Sequence, residues 1–162
     1  MQYWYNRYIK TGLPTWQTIT ARSSFVDKLL EKTAQYKQFF NAELLHECES
    51  STDMAQKVEA MANVIDTMPE TYGQDGMGDN AIAYLHYQIR HPRYQDADWY
   101  VTEKDVIKDD QIQAFGLVQL GGNRPELGYI NLVELCGMDF VTMDLDFMPA
   151  ALSNIRKILA NK

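Results

Sequence analysis

Ala81-Ile82-Ala83-Tyr84-Leu85-His86-Tyr87-Gln88-Ile89 is where the hydrophobic rhythm of the chain changes. Ile82, Tyr84, His86 and Gln88 alternate there with Ala83, Leu85, Tyr87 and Ile89. That is the period of two that a pleated strand imposes.

Upstream of this point the rhythm is helical. Met54, Val58, Met61, Ile65 and Met68 recur at spacings of four and three, with Ser51 or Thr52 as cap. Pro69 stops this helix, because a residue before proline is driven out of the α region. Phe25, Leu29, Tyr36, Phe40 and Leu44 predict an earlier helix, capped at Ser23-Ser24 and running to about His46. The short link Glu49-Ser50-Ser51-Thr52 makes the two an antiparallel hairpin over residues 23–69. Tyr72 to Asn80 holds three glycines and reads as a flexible linker. It lacks the Lys-Ser or Lys-Thr of a phosphate loop, and no strand precedes it.

Downstream, His91-Pro92-Arg93 ends the first strand. Further strands are expected at Asp98 to Thr102, Ala114 to Leu120, Leu127 to Ile130 and Phe140 to Phe147. In the last, Val141, Met143, Leu145 and Phe147 form the core face, and Thr142, Asp144 and Asp146 the polar one. Asn131 caps a single helical turn with Glu134 three residues on, ended by Gly137. Pro149 suits the first turn of a final helix docked by Leu152, Ile155, Ile158 and Leu159. Helices first and strands after argue an α+β fold. The expectation is one domain over residues 1–162: an aromatic arm (1–22), a helical hairpin (23–69), then a mainly antiparallel sheet of about five strands and a C-terminal helix (81–162).

Composition narrows the function classes. The 162 residues are 46% hydrophobic and 23% charged, ordinary values for a folded domain. No apolar run is long enough to span a bilayer, and residues 1–21 lack a secretion-signal pattern. Cys48 and Cys136 stand alone without a Cys-x-x-Cys. The reading is a cytoplasmic protein with no membrane association. The net charge of −7 is uneven. Residues 1–68 carry 7 basic and 8 acidic side chains, whereas residues 69–162 carry 8 and 14. An acidic C-terminal half repels phosphate backbones and suits a basic partner or a role as nucleic-acid mimic. Solubility alone is the simpler account.

Three groups of residues are candidates for function. Glu103, Asp105, Glu126, Asp144 and Asp146 make an acidic set. If they converge, they can hold a divalent cation or act as acid and base. If they spread, they make an acidic binding face. Tyr3, Trp4, Tyr5, Tyr8 and Trp16 form an aromatic arm with Arg7, Lys10 and Arg22, a composition that can stack on single-stranded nucleic acid. Packing on the domain or on a second copy accounts for the arm more simply. The Met stripe of the second helix can form an adaptable groove, although core packing explains it better. His46, His86 and His91 show no zinc-site spacing, so neither metal nor cofactor is expected. Cys136 lies at a helix C-terminus, where the dipole disfavours a thiolate.

One stretch is similar to a known family. Its segments are Asp98-Trp99-Tyr100-Val101-Thr102-Glu103-Lys104-Asp105, Gln113-Ala114-Phe115-Gly116-Leu117, Pro125-Glu126-Leu127-Gly128-Tyr129-Ile130 with Glu134-Leu135, and Met143-Asp144-Leu145-Asp146-Phe147-Met148-Pro149. They resemble a small family of uncharacterised proteins carried by bacterial plasmids, conjugative elements and phages, found near anti-restriction genes. The likeness covers roughly residues 80 to 155. It implies a setting and no activity: an accessory protein that binds and modulates a host defence or regulatory protein without catalysis. A metal-dependent carboxylate enzyme and a single-stranded nucleic-acid binder are the alternatives. A homodimer is compatible with each. Gly116 and Gly128 lie in strands, where glycine marks a bulge or a close backbone approach. Trp99 and Tyr129 are then expected in the core beside them.

Overall fold

The alternating segments build seven strands in the computed structural model, which describes residues 31, 36–105 and 113–161. They are β1 (Ile82–Ala83), β2 (Leu85–Ile89), β3 (Ala97–Lys104), β4 (Gln113–Leu120), β5 (Glu126–Asn131), β6 (Val141–Met143) and β7 (Ala150–Ala151). Five of them form one antiparallel sheet in the order β5-β4-β3-β2-β6. The short strands β1 and β7 pair separately, Ile82 opposite Ala151. The described α-helices are α1 (Ala42–Ser50), α2 (Thr52–Thr67), α3 (Leu132–Cys136) and α4 (Leu152–Leu159). The fold is therefore α+β, with helices before an antiparallel sheet and a helix at the end. The arm of residues 1–22 lies outside the described residues.

Strand alternation sends neighbouring side chains to opposite faces, and both faces of the sheet are covered. Leu85, Tyr87, Trp99, Val101, Ala114, Ile130 and Val141 pack with Val58, Met61 and Ile65 of α2 and with Leu132 and Leu135 of α3. On the other face Tyr100 and Leu117 pack with Ala81, Ala83 and three residues of α4: Leu152, Ile155 and Leu159. Each fully buried aliphatic side chain contributes roughly 1.5–3 kcal/mol. The larger cluster therefore dominates the stability of the described fold.

The local signals mostly hold. Ser51 caps α2 by accepting the Met54 amide, and Met68 is buried just before Pro69. Asn131 accepts the amides of Val133 and Glu134 and starts α3, which ends at Gly137. Gly116 is required by its surroundings, since a Cβ there would lie 2.1 Å from the Tyr100 carbonyl oxygen. The register of β3 slips beside it, between Val101 and Glu103. This bulge inserts an extra residue and breaks the alternation, so Thr102 and Glu103 border the same cleft.

Several expectations are corrected. The helix expected to run to His46 is interrupted: Lys37–Phe39 is a 3₁₀ turn, Phe40 is extended, and Asn41 caps a new helix by accepting the Leu44 amide. The strand from Ala81 breaks at Tyr84 into β1 and β2. The strand expected over 140–147 stops at Met143, where Asp144 turns the chain by accepting the Asp146 amide. Pro149 precedes β7 and lies outside α4. Ile158 is 59% exposed, and the apolar face of α4 is Leu152, Ile155 and Leu159. Tyr129 is 56% exposed on an edge strand and outside the core, whereas Trp99 is buried. A Cβ on Gly128 would meet nothing within 4 Å, so that glycine marks no close approach.

Candidate binding cleft

The glycine-bearing segment 71–80 is anchored in place, and Glu103 is its anchor. The Tyr72 amide donates to Glu103 Oε2 at 2.9 Å, and the Gln74 amide donates to Oε1 at 2.8 Å. Gln74 is buried and fully bonded. Its Nε2 donates to the carbonyls of Ile82 and Thr102, and its Oε1 accepts the Ile82 amide. The segment is thus tied to β1 and β3 by hydrogen bonds that would cost about 1–3 kcal/mol each if a buried group lost its partner. Tyr72 takes a left-handed conformation, φ 69°, which is uncommon for a side chain of its size.

These ties shape a cleft of about 410 Å³ beside the β5 edge of the sheet, on the face that carries α4. Its floor is Phe115, Leu127, Ala81 and Leu152, and its rim is Tyr72 and Tyr129. The two tyrosine hydroxyls lie 3.4 Å apart, and the Phe115 and Tyr129 rings meet edge to face at 5.4 Å. The Tyr129 hydroxyl is pushed above its ordinary pKa, chiefly by Tyr72, with smaller contributions from the charges of Asp105 and Glu103. Glu103 and Asp75 line the cleft, and among the described residues no Lys, Arg or His does.

The acidic set does not converge. Glu103 holds the loop, and Asp105 follows β3 near Tyr129. Glu126 is exposed on β5. Asp144 bonds His86 Nδ1 at 3.2 Å, and Asp146 pairs with Lys57 on the surface at 2.8 Å. Asp144 and Asp146 belong to a turn and share no strand face. Among the described residues no three acidic, imidazole or thiol groups are placed to hold a metal ion. Tyr3, Trp4, Tyr5, Tyr8 and Trp16 lie outside the described residues.

A second polar group escaped the sequence reading. His86 is stacked on Tyr100, ring centroids 4.3 Å apart, with Nε2 on Asp98 at 2.8 Å. Asp98 is buried and also bonds Arg90. With Asp144 on His86 Nδ1, these residues tie β2, β3 and the turn after β6 together. The signal was available in part: His86 and Asp98 meet only once β2 and β3 are paired in register, as a diagonal pair two positions from the directly opposed His86 and Tyr100. The roles of Tyr72 and Gln74 left no such trace, because a loop has no periodicity to read. The Cys136 thiol is pushed up to about 12, chiefly by burial.

The fold and cleft define an α+β protein with a sheet covered on both faces and an open, aromatic-rimmed cavity at one edge. Residues 89–153 match a family model described as a protein of unknown function (DUF2958). The matched span contains β3 to β7 and the sheet side of the cleft, while Tyr72 and Gln74 lie before it. No curated protein and no solved structure matches the chain. No described helix is long and apolar enough to cross a membrane.

Proposed function

We propose that this protein works by binding, and that an extended segment of a partner protein adds to the β5 edge with its side chains over the cleft. The observation that carries this reading is the pairing of an unpaired sheet edge with a built cavity beside it. β5 is terminal in the sheet, so one row of its backbone N–H and C=O groups has no strand partner among the described residues. Leu127 and Tyr129 of that strand are exposed and line the cleft. Edge pairing supplies main-chain hydrogen bonds, and a neighbouring pocket reads alternate side chains.

The scattered carboxylates favour binding over metal-dependent catalysis. The likeness of residues 80–155 to proteins of plasmids, conjugative elements and phages supports a host defence or regulatory protein as the partner, met in the bacterial cytoplasm. The test is capture from bacterial lysate by the wild-type protein and by a Leu127→Asp/Tyr129→Ser variant, whose altered side chains are exposed. A partner retained by the wild type and lost by the variant supports the reading. Equal retention by both, or none by either, rejects it.

A further inference from the structure

We propose that the cleft beside β5 selects a basic side chain, arginine or lysine, from the added segment. This rests on the binding mode above and names the chemistry it reads.

The argument begins with Glu103, which is only 5% exposed. Buried carboxylates are ordinarily paired with a cation. Glu103 receives one amide hydrogen on each oxygen, and none of the described Lys, Arg or His side chains pairs with it. Its neighbour Lys104 is committed elsewhere, donating to the carbonyls of Ile65 and Asp66 at 2.9 and 2.7 Å. Arg156 is likewise held by Asp79 and the Pro125 carbonyl. Among the described residues the cleft wall thus carries a carboxylate with no basic side chain against it, and Asp75, which also lines the cleft, adds a second acidic group.

The remaining surface fits the same occupant. An arginine or lysine side chain has an apolar stem and a charged end. Leu127 and Phe115 offer apolar contact for the stem. The rings of Tyr72 and Tyr129 stand at the mouth, where aromatic groups attract cations. An acidic or neutral polar side chain would meet the field of Glu103 unfavourably or without gain. A side chain of the added strand lying opposite Leu127 or Tyr129 is about 5 Å from it, within reach of the cleft for a residue of this length.

The probes are extended octapeptides that alternate valine with arginine, lysine, glutamine or glutamate, titrated calorimetrically into the full chain. The arginine or lysine peptide should bind about tenfold tighter than the glutamine peptide, a preference that weakens with added salt. Tyr129→Ser should weaken every peptide, whereas Asp75→Asn, exposed and therefore harmless to folding, should weaken the basic ones alone. Equal affinity for arginine and glutamine peptides, or no binding of any peptide at millimolar concentration, overturns the inference. Equal affinities that still fall in Tyr129→Ser would leave the edge-binding mode standing. Affinities untouched by Tyr129→Ser would remove both.

Discussion

Glu103 Oε2 accepts the backbone amide of Tyr72 at 2.9 Å and so holds a tyrosine at φ 69°. A buried acid of one strand fixes the unusual backbone of a distant loop, and the loop fixes one wall of the cleft. Left-handed backbone costs a residue with a side chain roughly 1–2 kcal/mol, and such conformations persist where surrounding structure imposes them.

Tyr72→Gly should therefore leave urea stability unchanged or raise it by about 1 kcal/mol, because glycine accepts this conformation freely. Partner capture should fall, since the rim loses an aromatic ring that is 74% exposed. A marked loss of stability would mean that the ring itself holds the fold.

Glu103→Ala should destabilise by roughly 2–5 kcal/mol, because it strands the amides of Tyr72 and Gln74. Gln74→Ala should cost a similar amount by freeing three bonds to Ile82 and Thr102. Hydrogen exchange should then rise first in residues 71–80 in both variants. Exchange spread evenly over the sheet would contradict the anchoring role.

Gly116→Ala and Gly128→Ala form a matched pair. The first drives a methyl against the Tyr100 carbonyl and should cost at least about 3 kcal/mol or prevent folding. The second meets open space and should change stability by less than about 1 kcal/mol. Thermal melts of the two proteins make the comparison.

Asp98→Ala should destabilise by about 3–5 kcal/mol, because it leaves His86 and Arg90 without their shared buried partner. Asp144→Ala removes a partly exposed carboxylate and should cost about 1 kcal/mol or less. Chemical denaturation that ranks Asp144 above Asp98 would refute this ordering.

Alkali should destabilise the protein in part through Tyr100, whose pKa is pushed from 10.0 to about 12, mainly by burial and then by the charge of Asp98, while Tyr36 and the buried Tyr87, also raised, act in the same direction. The folded value lies above the unfolded one, so this stabilisation is complete below pH 10 and is lost as pH rises toward 12. Tyr100→Phe should make the loss over that window shallower in a pH series followed by circular dichroism. Cys136, raised by burial from 9.0 to about 12, should meanwhile react with thiol reagents more slowly than a free cysteine.

Where the chain changes rhythm was legible without the fold, and with it the α+β class, the caps at Ser51 or Thr52 and at Asn131, and the stop at Pro69, whereas Gly116 and Gly128 looked alike until their surroundings were known. The legible features are local matters: a period or a side-chain oxygen within three residues acts on its own neighbourhood. Only the tertiary structure decided that Glu103 anchors a loop thirty residues away and that Tyr129 faces a cleft at an open edge. It also decided that Asp144 and Asp146, two positions apart, go to His86 and Lys57. Strand order, the bulge at Val101 to Glu103 and the turn after Met143 set those partners. Such contacts join residues far apart in the chain, and their energies appear only once the sheet has brought the groups together.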